Sequence, residues 1–281
     1  MSTTPCIYII QAFAGHGKDY TREILEDILK TKTKKIHFAK KAKEMIASSL
    51  KKELIKGCSN EDQKIEKLNY LKDHELGIKI LGNKNAREMM QLLLGDVIRN
   101  VNPEIHALFS LKEMEQELMS NNPRIMICTD NRYKNEQELV YPVNLLESKE
   151  EKIDYIRWRI ENHKTKYSNI EILELFDNLT KDSIIDKSDI DMLNKIKMKF
   201  INEIDKLNKT KKPQKDFSDF ISSIDFNEIQ NYTIQEGLER GLINVFRPLL
   251  PNDTNVTTNN LKEVIINYNK LKEEDFENIK F

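Results

Sequence analysis

The sequence predicts an α/β fold in which a doubly wound parallel sheet is covered by helices, with an additional helical segment. Three observations carry this. Short apolar runs too brief for buried helices alternate with helix-period segments, a glycine-bearing turn joins the first run directly to a helix, and a polar cluster closes a later run. The first strand is expected over Cys6 to Ala12, rich in β-branched and aromatic side chains. After the turn, Ile24, Leu25, Ile28 and Leu29 share one face of a helix from Tyr20 to Leu29. A second strand, Lys35 to Phe38, precedes a helix carrying Ala42, Met45, Ile46 and Leu50.

Residues 61 to 82 read as charged helix, and Ala86 to Asn100 as a helix striped by Met89, Met90, Leu93 and Leu94. Pro103 opens another helix, reaching about Met119. A continuous apolar run, Ile125 to Thr129, is the next strand. A short helix, a strand from Val143 to Leu146 and a helix from Lys149 to His163 follow. From about Lys164 to Gln230 the pattern becomes charged and amphipathic, broken most clearly at Lys209 to Lys215. Residues 241 to 281 return to mixed character. The expected division is therefore 1–163, 164–240 and 241–281.

Composition excludes several classes. Among 281 residues, 39% hydrophobic and 32% charged, no run approaches the roughly 20 apolar residues that cross a bilayer. The opening MSTTPCIYIIQ has no basic segment before its short apolar stretch, so export is not expected and a cytoplasmic location is. Lys plus Arg is 45 and Asp plus Glu 46, a net charge of -1, so any nucleic-acid contact must come from local patches. Such patches exist: Lys32 to Lys56 holds nine lysines against Glu44 and Glu53, and Lys195 to Lys215 is similarly basic. Without interleaved aromatics they read first as solvated faces. Cys6, Cys58 and Cys128 have no metal-ligand spacing and fit a reducing compartment.

The turn after the first strand, Ala12-Phe13-Ala14-Gly15-His16-Gly17-Lys18-Asp19, matches a P-loop. In such a loop successive main-chain N–H groups wrap phosphates, the following helix aims its positive end at them, and a lysine reaches the terminal groups. Ala12 stands where the first glycine usually does, and Asp19 where Ser or Thr would meet magnesium.

Further on, Arg87 and Gln91 lie four apart on one helix face. A guanidinium suits a phosphate and a carboxamide the edge of a base, although a solvated arginine is the plainer reading. Asp130 and Arg132 follow a strand, where ligands of open parallel sheets bind; a helix N-cap with a surface arginine is the alternative. Arg157 and Arg159, two apart on a helix, point to different sides.

Taken in order, AFAGHGKD, FAKKAKEMI, AREMMQLLLGDVIR and ICTDNRYKNE resemble the phage and viral deoxynucleoside monophosphate kinases of the P-loop nucleoside monophosphate kinase superfamily. The likeness covers about residues 6 to 163. It implies a kinase core in 1–163, a helical insertion in 164–240 and a C-terminal return to the core. It also implies that Phe13, Ala14, Gly15, His16, Gly17 and Lys18 hold ATP. By the same resemblance Asp19 sits near Mg2+ or the acceptor phosphate, Arg87, Arg132, Gln91 and Asp130 hold a nucleoside monophosphate, and Arg157 and Arg159 belong to a lid. Lys18, Asp19 and Arg132 would act in catalysis. The implied activity is ATP-dependent conversion of a deoxynucleoside monophosphate to its diphosphate, with no membrane partner and with room for a homodimer. Two other readings stay open: a relative that phosphorylates a hydroxymethyl pyrimidine within DNA along the basic stretches, and a non-catalytic nucleotide-binding module.

Overall fold

The computed structural model describes residues 7–11, 22, 26, 33–99, 102–131, 134–164, 169–181 and 185–226. The expected helix from Tyr20 to Leu29 is described only at Arg22 and Glu26, both helical, and the expected segment 241–281 lies outside the described residues. Contacts divide the chain into two compact units. The first draws on Met1–Phe38, Ser110–Trp158 and Pro213–Phe281, the second on Ala39–Phe109 and Arg159–Lys212. No helix among the described residues is long and apolar enough to cross a membrane.

The first unit is built on a parallel sheet of β1 (Ile7–Gln11), β2 (Lys34–Ile36) and β5 (Met126–Asn131), in the order β1-β5-β2. The third strand in sequence thus lies between the first two. Ile127 and Cys128 are adjacent along β5, so they face opposite sides of the sheet, and both are fully buried. A strand covered on both faces explains the unbroken apolar run that marked it in the sequence. The fold is therefore α/β in a loose sense and mostly helical. Three described parallel strands do not by themselves make the expected doubly wound sheet.

Two expectations are corrected around this sheet. Val143 to Leu146 is not a strand: after α5 (Lys134–Val140), Pro142–Leu145 forms a helical turn, α6. Pro142 occupies its first position, where a missing N–H costs nothing, and a four-residue segment apolar except at Asn144 is too short to distinguish strand from helix by period. The helix expected from Lys149 is found as α7 (Lys149–Lys164). Its Tyr155 and Trp158 pack against Phe217 and Phe220, with ring centroids 5.6–6.2 Å apart. Trp158 Nε1 donates to Asp216 Oδ1 at 2.9 Å. The Asp154 carboxylate accepts from the main-chain N–H groups of Gln214 and Lys215 at 2.7 and 2.9 Å. These contacts fasten the stretch before the short helix α10 (Ser218–Ser222) onto the first half of α7.

The second unit contains α1 (Lys40–Ala47), α2 (Glu61–His74), the antiparallel pair β3 (Lys79–Leu81) and β4 (Lys84–Asn85), and α3 (Ala86–Met90). It also holds α8 (Asn169–Thr180) and α9 (Lys187–Asn208), and α4 (Ile105–Leu118) begins in it. The helix expected over 61–82 ends at His74, and the rest of that segment enters a hairpin whose two-residue turn begins at Gly82 with φ +56°. Asn85 then caps α3 by a reciprocal box with Glu88, at 3.0 and 2.9 Å. The single helix expected from Ala86 to Asn100 changes at Gln91 to π-helical winding over Gln91–Ile98. Its apolar stripe persists, since Met89, Met90 and Leu93 are buried. Asp186 caps α9 by accepting from Asp189 N at 2.8 Å, and the buried Asp189 accepts from Gly82 N at 2.7 Å. The hairpin is thereby tied to α9 across more than a hundred residues of sequence.

Candidate functional site

Strand β1 is held by a strand and by a side chain. It pairs in parallel with β5, with Ile7 opposite Met126, Tyr8 opposite Ile127 and Ile9 opposite Cys128. Asn144 of α6 also meets it: Ile7 N–H donates to its Oδ1 at 2.9 Å, and its Nδ2 donates to Ile7 O. Ile7 is 0% exposed, so its main-chain polar groups have no recourse to water. Sequence reasoning missed Asn144. The available signal was a carboxamide, able to donate and accept at once, set one residue beyond Pro142-Val143.

Toward the carboxyl ends of the strands the register shifts by one. Ile9 pairs with Cys128 but Gln11 with Asn131, so β5 carries one extra residue across Thr129 and Asp130. A bulge of this kind bends a strand and re-aims the residues beyond it, and such bulges concentrate beside functional sites. The pairing brings the segment that begins at Ala12 and the segment that begins at Arg132 out of neighbouring parallel strands at one end of the sheet. Asp130 lies within β5. Phe13, Ala14, Gly15, His16, Gly17, Lys18, Asp19 and Arg132 lie outside the described residues, as does the side chain of Asp130.

Beyond the glycine-bearing segment, Arg22 donates to Glu26 Oε1 at 2.9 Å, one helical turn on. The same oxygen accepts from Thr33 N at 3.3 Å and from Thr33 Oγ1, just ahead of β2. Burial pushes the pKa of this carboxyl up, but the Thr33 hydrogen bonds and the Arg22 charge outweigh it and hold Glu26 below the usual carboxylate range. Glu26 is thus tied to the start of β2 by its ionised side chain.

The other expected residues fall in two places. In the second unit Arg87 and Gln91 are both exposed. Arg87 is 59% exposed in its side chain and makes only a 3.4 Å contact with Asp73, and Gln91 opens the π-helical turn. An exposed ion pair that long stabilises by well under about 1 kcal/mol, so Arg87 is available to a ligand. In the first unit Arg157 is committed: its Nε donates to Glu115 Oε1 at 2.7 Å and its Nη2 approaches Met119 Sδ at 3.6 Å. Glu115 is 3% exposed and is also held by Lys112 at 2.5 Å. Arg159, two residues further along α7, belongs to the second unit. Among the described residues no group of three or more His, Cys, Asp or Glu side chains converges as a metal site. Compared with protein-family models, curated proteins and solved structures, the chain matches none.

Proposed function

We propose that this chain is a phosphotransferase that uses ATP to convert a deoxynucleoside monophosphate to its diphosphate, on a doubly wound sheet of the P-loop kinase type. The observation that carries the reading is the pairing of Gln11 with Asn131 in a parallel sheet whose third strand lies between the first two. Parallel strands deliver the loops after them to one end of the sheet, and at a place where strand order departs from sequence order those loops diverge around a crevice. The segments that continue from these two strands are the one holding Gly15-His16-Gly17-Lys18 and the one opened by Asp130 and Asn131 at the end of β5 and carried on by Arg132, the two most phosphate-suited segments of the sequence.

In this reading the main-chain N–H groups from Phe13 to Lys18 wrap the ATP phosphates and the Lys18 ammonium meets the terminal ones. Magnesium enters as part of the nucleotide substrate, and Asp19 lies beside it. As the resemblance implies, Arg132 and Arg87 serve the acceptor phosphate, Asp130 is a polar partner of the acceptor, and Gln91 reads the base edge. The exposure of Arg87 and Gln91 on adjoining turns supports that assignment. Phosphoryl transfer asks the protein chiefly for alignment and charge stabilisation, which these groups supply without covalent participation. Of the two lid arginines, Arg159 keeps the role of closing over the transferring group. Arg157, bound to buried Glu115, is assigned to holding α7 in place. The test is ADP release from ATP with magnesium and a panel of deoxynucleoside monophosphates. Turnover with at least one acceptor, lost by orders of magnitude in Lys18→Ala, is the expected result; no ADP above background overturns the proposal.

A further inference from the structure

Of the nine methionines, all but Met1 lie among the described residues, and burial sorts them into two groups. Met45, Met89, Met90, Met114, Met126 and Met192 are at most 7% exposed, whereas Met119 and Met198 are each 53% exposed. The two exposed sulfurs differ in what stands beside them. Met119, directly after α4, has its Sδ 3.6 Å from the Nη2 of Arg157 on α7. Among the described residues no hydrogen-bond donor meets the sulfur of Met198.

The guanidinium is fixed where it stands. Its Nε donates to Glu115 Oε1 at 2.7 Å, Glu115 is buried, and the arginine side chain is itself only 15% exposed. Met119 N–H donates in turn to Glu115 O at 2.9 Å, so the methionine backbone and the arginine are both anchored to one residue. What the pair lacks is a good acceptor. A thioether sulfur accepts hydrogen bonds weakly, so an N–H that faces it at 3.6 Å gains little.

We propose that Met119 is an oxidation site, at which a peroxide converts the thioether to a sulfoxide whose oxygen Arg157 then takes as its acceptor. A sulfur lone pair attacks one oxygen of hydrogen peroxide. The S–O bond forms, the O–O bond breaks, and the other oxygen leaves as water with the proton of the transferred one. Sulfur is oxidised by two electrons and the peroxide reduced by two. The sulfoxide oxygen carries partial negative charge, so the contact with Arg157 becomes a charge-assisted hydrogen bond. The unbranched, half-exposed side chain has the rotational freedom to turn that oxygen toward Nη2. Oxidation of a buried methionine places a polar group in a core and destabilises it. At Met119 the sign is opposite, because the new oxygen tightens the tie between the end of α4 and α7. A methionine sulfoxide reductase restores the thioether. None of this depends on kinase activity.

The test uses the full chain carrying Met198→Leu and dilute hydrogen peroxide, with site occupancy read by peptide mass spectrometry and stability by urea denaturation. Met119 is oxidised ahead of the six buried methionines. Its oxidation moves the urea midpoint upward, raising the folding equilibrium constant roughly two- to tenfold. A chain that also carries Met119→Leu, treated alike, reports oxidation elsewhere and shows no rise. In Arg157→Lys the ammonium keeps a charge beside Glu115 but has no second arm for the sulfoxide, and the rise disappears. Without any oxidant, Met119→Gln, whose carboxamide oxygen imitates the sulfoxide, is more stable than Met119→Leu. A midpoint that stays or falls on oxidation of Met119 overturns the proposal. So does an equal rise in Arg157→Lys, or oxidation of Met119 no faster than that of the buried methionines.

Discussion

Replacing Asn144 with alanine tests how the strand that feeds the glycine-bearing loop is held. The substitution removes one hydrogen bond to Ile7 N and one to Ile7 O, on a residue with no exposed surface. Each buried main-chain group left without a partner costs about 1–3 kcal/mol. Because the vacated space admits some water, the expected loss for the pair is about 2–4 kcal/mol rather than the full sum. At about 2–4 °C per kcal/mol for a domain of this order, Tm falls by roughly 4–16 °C.

Urea denaturation followed by circular dichroism measures the loss directly. Asn144→Asp sharpens the test: at neutral pH its carboxylate still accepts from Ile7 N–H but opposes a lone pair to the Ile7 carbonyl. That variant is then at least as unstable as Asn144→Ala at pH 7, and it regains stability as the pH falls and the new carboxyl, once protonated, can donate. A loss below about 0.5 kcal/mol in Asn144→Ala, the level of an ordinary surface change, would refute the reasoning.

Three further outcomes are expected. Arg157→Met leaves Glu115 buried with only Lys112 beside it, so stability drops by about 2 kcal/mol, less than the ~3–5 kcal/mol of a charge left with no partner; turnover of the folded fraction stays near that of the parent, whereas a lid arginine would lower kcat without moving Tm. Phe217→Ala empties the centre of the cluster formed by Tyr155, Trp158 and Phe220 and costs about 3–5 kcal/mol. Trp158 is the sole tryptophan and is buried, so a red shift of intrinsic fluorescence reports the same event, and an unchanged spectrum would count against it. The Arg124 hydrogen bonds, opposed by burial, hold Glu117 below the usual carboxylate range. A depressed carboxyl contributes stability above its unfolded pKa and loses it as pH falls through the folded one. The urea midpoint therefore declines more steeply between about pH 5 and 3 in the parent than in Arg124→Met.

The sequence by itself determined the elements whose cause is local. The apolar start of β5 is legible because Met126 to Cys128 are buried on both faces of the sheet, and α7 and α4 follow from period and terminal chemistry. The segment Ala12 to Asp19 and Arg132 lie outside the described residues, so of that part of the site the structure speaks only to the strands that lead into it.

Tertiary structure decided what no local pattern encodes. Val143–Leu146 satisfies strand and helix equally until the Asn144 side chain pairs with the Ile7 main chain of β1, which then favours the helical turn. The hairpin within 61–85 depends on Gly82 adopting positive φ and on Asp189 accepting its N–H from another helix. The two lysine-rich stretches read as separate solvated faces, and only the packing of α9 beside α1 leaves Lys199 with a hydroxyl where its neighbours have carboxylates. The physical reason is common to all three. Desolvation of a polar group is fixed by the groups that the rest of the chain brings against it, at sequence distances over which no period extends.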